Sequence, residues 1–365
     1  MRIKAAVLYD AHKPYSVETV ELDPPKRGEV LVKIGAAGVC RSDLHFQKGE
    51  AAIGMPAVLG HEGSGTVMEV GEGVTMTAPG QRVFLAFVSN CGHCHFCETG
   101  RPHLCDTHAK AGAKLFDGTS RLHTLAGQDM FHMGKVACFA EYAVVPEQAC
   151  IPAPDYVDFP QMALIGCSVS TGVGAALFNA KVQPGDSVAV IGCGGVGLNI
   201  VQGARLAGAT TIVAVDVKDG ALEFAKKFGA THTVNALDEG ALKRIREITD
   251  GGADFAFESF GSAETTEMAF NSTRKAGTAV IVGIAPMNDL ARIAPMDLTR
   301  MEKTIKGCYY GSSRPRLDMP KLADYYHRGL IDIDGLITRH YGLDDINKAY
   351  DEIEGNGVGR GVIVF

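Results

Sequence analysis

The chain has 365 residues and a mass of 38.6 kDa, enough for about two domains and for cores that need no covalent staples. With 46% hydrophobic and 21% charged residues it is a globular composition, not a disordered one. A net charge of −7 provides no electrostatic footprint for nucleic acid.

The N-terminal stretch carries Asp10, His12 and Lys13 where a secretory signal needs an apolar core, so a cytoplasmic protein is expected. Strand-like runs follow at 4–9, 29–34, 65–70 and 141–145, separated by Gly/Pro turns, and residues up to about 165 read as a mostly β region. Residues 106–137 read as a charged, solvent-exposed loop. From 187 onward the pattern changes. Short apolar runs at 187–191, 211–215, 253–257 and 278–282, with weaker ones at 232–234 and 304–309, alternate with helical stretches near 195–207, 219–229, 240–249 and 262–275. That alternation predicts a parallel sheet covered on both faces. The tail offers helices at 319–328 and 343–355 and a closing strand at 361–365. The longest apolar window, 187–201, is interrupted by four glycines and Asn199, so no transmembrane helix and no membrane partner are expected.

Ten cysteines are many for a reducing compartment, where clustered thiols bind metal or do chemistry more often than they form disulfides. Cys91, Cys94, Cys97 and Cys105 form C-x2-C-x2-C-x7-C, and four thiolates within fifteen residues can close around one tetrahedral ion. A closed all-thiolate shell is a structural zinc site. The spacing also admits an iron–sulfur cluster or a disulfide switch, although the bacterial ferredoxin run has a shorter last gap and a following proline. Within this lobe, 91–105, His93, His95 and His103 read as solvated loop residues.

Gly192-Cys193-Gly194-Gly195-Val196-Gly197 fits G-x-G-x-x-G between a strand and a helix, where backbone N–H groups and the helix N-terminus can hold a pyrophosphate. Asp216 follows Gly197 by 19 residues, at the end of the next strand. An acid there accepts hydrogen bonds from an adenosine ribose and repels a 2′-phosphate, which favours NAD over NADP. Cys40, His61 and Cys167 together supply the two-sulfur, one-imidazole set of a catalytic zinc with one open position. Their separations of 21 and 106 residues say nothing about proximity, and each cysteine alone reads equally well as a small core residue.

These residues resemble the zinc-containing medium-chain alcohol dehydrogenases along essentially the whole chain. The resemblance is carried by GVCRSDLH at 38–45, GHEGSG at 60–65, the four-cysteine lobe, DGTSR at 117–121, GCSVSTGVG at 166–174, GCGGVG at 192–197 and the closing GVGRGVIVF. It implies an α/β protein in which a Rossmann doubly wound parallel sheet (169–309) is inserted into a mostly β, GroES-like catalytic domain (1–168 and 310–365). It further implies two zinc ions per subunit, one catalytic on Cys40, His61 and Cys167 and one structural on Cys91, Cys94, Cys97 and Cys105. By resemblance, Ser42 stands beside the substrate oxygen, His45 ends a proton relay, and Asp43 and Glu62 lie near the catalytic metal. Arg41 and Arg360 match contacts of the cofactor pyrophosphate, and Thr171 matches a neighbour of the nicotinamide.

The activity implied is interconversion of primary alcohols and aldehydes by hydride transfer to and from NAD, in a homodimer or homotetramer. Two rivals share the scaffold: a formaldehyde dehydrogenase acting on a thiol adduct, and a nicotinoprotein that keeps its cofactor bound. The first is weakened by the absence of an arginine in Asp106-Thr107-His108-Ala109, just past the last lobe cysteine. A third reading, of another class, is a non-catalytic zinc-thiolate redox sensor.

Overall fold

The computed structural model describes residues 1–355 and 357–365. The chain forms two units, one of Met1–Cys167, Arg314–Arg328 and Ile333–Phe365, the other of Ser168–Ser313 and Gly329–Asp332. The sequence reading places the return to the first domain at 310; here residues 310–313 and the short Gly329–Asp332 segment go with the second unit.

The first unit is built on two largely antiparallel sheets. Its larger sheet runs Cys150–Pro152, Arg82–Leu85, Glu62–Val70, Glu29–Gly38, Arg360–Val364 and Ile337–Tyr341, with Tyr142–Pro146 also paired to Glu29–Gly38. The final strand therefore closes onto the third, Val362 lying opposite Gly38. The smaller sheet centres on Arg2–Leu8, whose Ala5, Ala6, Val7 and Leu8 are fully buried, so both faces of its second half are covered. Tyr15, Phe139 and Tyr350 pack ring on ring in this core, Tyr15 and Tyr350 stacked at 5.4 Å.

Residues 106–137 depart from the sequence reading. They contain a helix, Asp106–Ala111, and their Arg121, His132 and Lys135 are buried. The buried polar groups find their partners inside the fold, and only Arg121 meets opposite charge there. Arg121 donates to both carboxylate oxygens of Glu29, at 2.9 and 2.6 Å, and to Asp117 at 2.6 Å. His132 Nε2 meets Ser120 Oγ at 2.8 Å.

The second unit carries six parallel strands in the order His232–Asn235, Thr211–Asp216, Ser187–Ile191, Ala253–Glu258, Thr273–Ile281, Thr304–Gly307. The runs SVAVI and TIVAV are continuous rather than alternating because helices cover both faces. Chain order reverses between Ser187–Ile191 and Ala253–Glu258, which creates the crevice at which doubly wound sheets take ligands. The helix expected to run to 275 ends at Ser272, and the next strand begins at once.

The sequence reading offered no membrane-length helix. The structure has one by length and composition, Phe159–Ala180, but 83% of its apolar window is buried inside the protein, as befits a core helix.

Candidate functional site

Cys40 follows the strand Glu29–Gly38 and caps the helix Arg41–Gln47 from an extended conformation. That helix turns Asp43 inward, fully buried, and leaves Arg41 exposed. Gly60, at φ +85°, makes the turn into the strand Glu62–Val70, where a side chain would also strike the Phe139 ring and backbone. Its N–H donates to Asp43 Oδ1 at 2.9 Å, so the turn and the helix fix each other. His61 and Glu62 come directly after. Cys167 arrives from a different direction, within a π-helical stretch Ile165–Val169 of the long helix, a distortion that recurs at functional sites.

These elements bring Cys40, His61, Glu62 and Cys167 together, with ligand atoms all within 4.8 Å of one another and every residue buried. His61 Nδ1 faces Asp43 Oδ2 at 3.1 Å, leaving Nε2 for the centre of the group. A carboxylate behind a ligating imidazole fixes its ring orientation and raises its basicity. Phe87 packs edge-on against the ring at 5.2 Å. Hydrogen bonding between the two thiols draws Cys40 well below its ordinary range and pushes Cys167 well above. Burial pushes the Glu62 carboxyl up to about 7 against the pull of Arg360, which donates to Glu62 Oε2 at 2.7 Å. Glu62 Oε1 is buried without a partner. Two sulfurs, an imidazole and an unsatisfied carboxylate oxygen in one buried pocket suit a divalent cation, which would displace the thiol protons.

Ser42 lies two residues past Cys40, its Oγ 3.7 Å from Cys40 Sγ. His45 is on the same helix, and its Nδ1 meets Glu50 Oε2 at 2.5 Å. The sequence reading did not find Glu50 or Phe87. Glu50 reaches His45 only because the chain turns back after the helix, its N–H donating to His45 O at 2.8 Å. Phe87 has no spacing signal at all.

The second cluster holds Cys91, Cys94, Cys97 and Cys105, again within 4.8 Å. Zinc–sulfur bonds of about 2.3 Å at tetrahedral angles place sulfurs roughly 3.8 Å apart. Cys94 Sγ lies 3.5 Å from Cys97 Sγ and 3.9 Å from Cys105 Sγ, which fits. Burial opposes ionisation of Cys91, yet hydrogen bonds from Thr107 and the backbone hold its thiol down to about 6. Cys105 also accepts from the N–H groups of Cys91, at 3.3 Å, and His108, at 3.5 Å. Of the three lobe histidines read as solvated, His93 and His95 are exposed, while His103 is buried.

In the second unit, Gly192 has φ +95° and opens the turn after Ser187–Ile191. A side chain on Gly197 would collide with Gly192 O, so the helix Gly195–Ala207 can approach this closely only with glycine there. Gly194 caps that helix with no side-chain partner and faces open space, and Val196 follows in the first turn. Unpaired N–H groups at a helix start, next to room for a ligand, suit a phosphate. Asp216 accepts from Cys193 N at 2.7 Å and Lys218 N at 3.0 Å, which fixes its carboxylate at the end of the neighbouring strand. Thr171 is buried on the long helix of this unit. Arg360 is buried in the first unit, its Nη2 donating to Val39 O at 3.0 Å as well as to Glu62.

A GroES-like sheet unit with a sulfur–imidazole pocket and a doubly wound unit with a glycine turn define a metal-binding nucleotide-dependent dehydrogenase. Residues 26–155 match the alcohol dehydrogenase GroES-like domain and residues 195–327 the zinc-binding dehydrogenase domain. The chain is 39% identical to the NDMA-dependent alcohol dehydrogenase of Amycolatopsis methanolica, over 100% of this chain and 99% of that protein. It is 38% identical to the S-(hydroxymethyl)glutathione dehydrogenase of Paracoccus denitrificans, over the full length of both. The benzyl alcohol dehydrogenase structure from Acinetobacter calcoaceticus superposes with a TM-score of 0.95 at 32% identity, over 100% of this chain and 99% of that one. The chain belongs to the zinc-containing medium-chain alcohol dehydrogenase family, and it is a zinc-dependent alcohol oxidoreductase.

Proposed function

We propose that this protein oxidises primary alcohols to aldehydes, and reduces them back, with NAD as hydride acceptor and two zinc ions per chain. The observation that carries this reading is the meeting of Cys40, His61 and Cys167 in one buried pocket. Zinc there supplies Lewis acidity that lowers the pKa of an alcohol, and NAD supplies the redox chemistry. Cys40, Cys167 and His61 hold the metal, with Asp43 orienting the imidazole. Ser42 Oγ takes the proton of the substrate hydroxyl, and His45 passes a proton to solvent from its partly exposed position. Arg360 holds Glu62 Oε2 in the ion pair at 2.7 Å, which weakens the carboxylate as a fourth ligand and leaves it displaceable by substrate. Arg41 supplies positive charge to the cofactor phosphate, and Thr171 stands by the nicotinamide. Asp216 holds the adenosine ribose and, by charge, selects NAD over NADP. Cys91, Cys94, Cys97 and Cys105 hold a structural zinc.

We take the protein to be a cytoplasmic homodimer or homotetramer. Its ten cysteines are all thiols, which suits a reducing compartment. Thr304–Gly307 is an edge strand exposed along its whole length, flanked by exposed Met301 and Tyr309, and such an edge invites pairing with a second copy.

The test is elemental zinc content together with NADH formation across a panel of primary alcohols. Two zinc ions per chain and turnover are expected, and full activity in a Cys40→Ser protein would overturn the assignment. One further reading has a specific support, the 39% identity to an NDMA-dependent enzyme. A cofactor that stays with the protein through desalting, with turnover only when an external electron acceptor is added, would select it.

A further inference from the structure

The first unit buries three long cations, and two of them are neutralised by carboxylates: Arg121 by Glu29 and Asp117, and Arg360 by Glu62. The third, Lys135, is fully buried, yet none of the ion pairs among the described residues includes it. A buried ammonium without a counter-charge costs several kcal/mol. The backbone also goes out of its way to place it: Lys135 sits at φ +63°, left-handed and unfavourable for a residue with a side chain, between Gly134 at +57° and Ala137 at +42°.

Its Nζ donates to His108 O at 2.9 Å and to Gly112 O at 2.8 Å, across the end of the helix Asp106–Ala111. The start of that helix is capped by the sulfur of Cys105. Negative charge on Cys105 favours the charged form of Lys135.

We propose that Lys135 is the buried counter-ion and positioning residue of the four-cysteine lobe. This rests on the structural-zinc reading above. A divalent ion with four thiolates carries net charge −2, and Lys135 offsets half of it. By pinning the carbonyl end of the Asp106–Ala111 helix, the same ammonium holds Cys105 at the distance a tetrahedral shell needs. Partners behind metal ligands change metal affinity by about 10–100-fold when removed.

The experiment follows lobe zinc, not turnover. Wild type, Lys135→Met and Lys135→Arg are purified as full chains, their zinc content is measured, and release to a chromophoric chelator is timed. Cadmium-substituted protein, read by 113Cd NMR, distinguishes the all-sulfur site from the mixed one by chemical shift. Lys135→Met should release lobe metal about 10–100-fold faster and move the all-sulfur resonance, and Lys135→Arg should recover most of the retention. Should Lys135→Met not accumulate as folded protein, Lys135→Gln makes the same comparison. A folded neutral variant that releases at the wild-type rate, or Lys135→Arg releasing as fast as the neutral variant, overturns the role of the charge. A wild-type lobe that holds no metal would instead overturn the structural-zinc reading on which it rests.

Discussion

Replacing Arg121 by Met should unfold the first unit at a markedly lower temperature. Arg121 is wholly buried and spends its donors on Glu29, Asp117, Thr119 and Ser120 O. Removing it leaves the Glu29 carboxylate, 7% exposed, with one remaining hydrogen bond, from Lys26 N at 2.9 Å. Stranding a buried charge costs about 3–5 kcal/mol. Asp117 adds little, since its side chain is 40% exposed and water can take over the lost contact. At about 2–4 °C per kcal/mol for a unit of this size, Tm should fall by roughly 6–20 °C. Scanning calorimetry of the zinc-replete protein measures it, with far-UV circular dichroism to confirm the native fold at the start. The mechanism makes a second demand. Adding Glu29→Gln to Arg121→Met removes the stranded charge, so the double variant should be more stable than Arg121→Met alone. A single-variant loss under about 1 kcal/mol, or a double variant whose losses simply add, would refute the reasoning.

On the proposed two-zinc reading, Cys167→Ser should lower zinc from two ions per chain to one and abolish alcohol oxidation while lobe zinc stays; elemental analysis that still finds two ions contradicts the placement. Asp216→Asn should weaken NAD binding by about 10–100-fold, the worth of a charged hydrogen bond, and narrow the preference over NADP, read by fluorescence titration of the two reduced cofactors. His45→Ala should slow turnover most at low pH, and an unchanged pH–rate profile counts against the relay. His132 is wholly buried and its pKa is pushed down to about 3 by burial, with Arg121 adding to the effect. A depressed folded pKa means its contribution is full above about 6.5 and is lost as pH falls toward 3. Between pH 6.5 and 5 that amounts to about 2 kcal/mol. His132→Gln should therefore show a flatter stability curve over this window, measured by urea unfolding, and an equally steep curve would refute the assignment.

Two kinds of information met in this chain. Local pattern was enough for the parallel sheet, because short β-branched runs such as SVAVI and TIVAV alternate with helical stretches, as strands buried on both faces do. It was enough for the glycine turn, since Gly192, Gly197 and Asp216 act within one strand–helix–strand unit. It also grouped the four lobe cysteines, whose short spacing leaves the chain little freedom to hold them apart. Cys40, His61 and Cys167 could be named from motifs, but no property of residues 21 and 106 positions apart brings their side chains together. That depended on the turn at Gly60, the inward Asp43 and the π-helical stretch around Cys167. The charges of 106–137 were misread for the same reason. A lysine or arginine reads as exposed until a partner is known, and the partners of Arg121 and Lys135 are Glu29, 92 residues away, and two carbonyls 27 and 23 residues away. Periodicity and spacing report what a segment can do by itself. Which distant group will satisfy a buried charge or share a metal is settled only when the chain has folded.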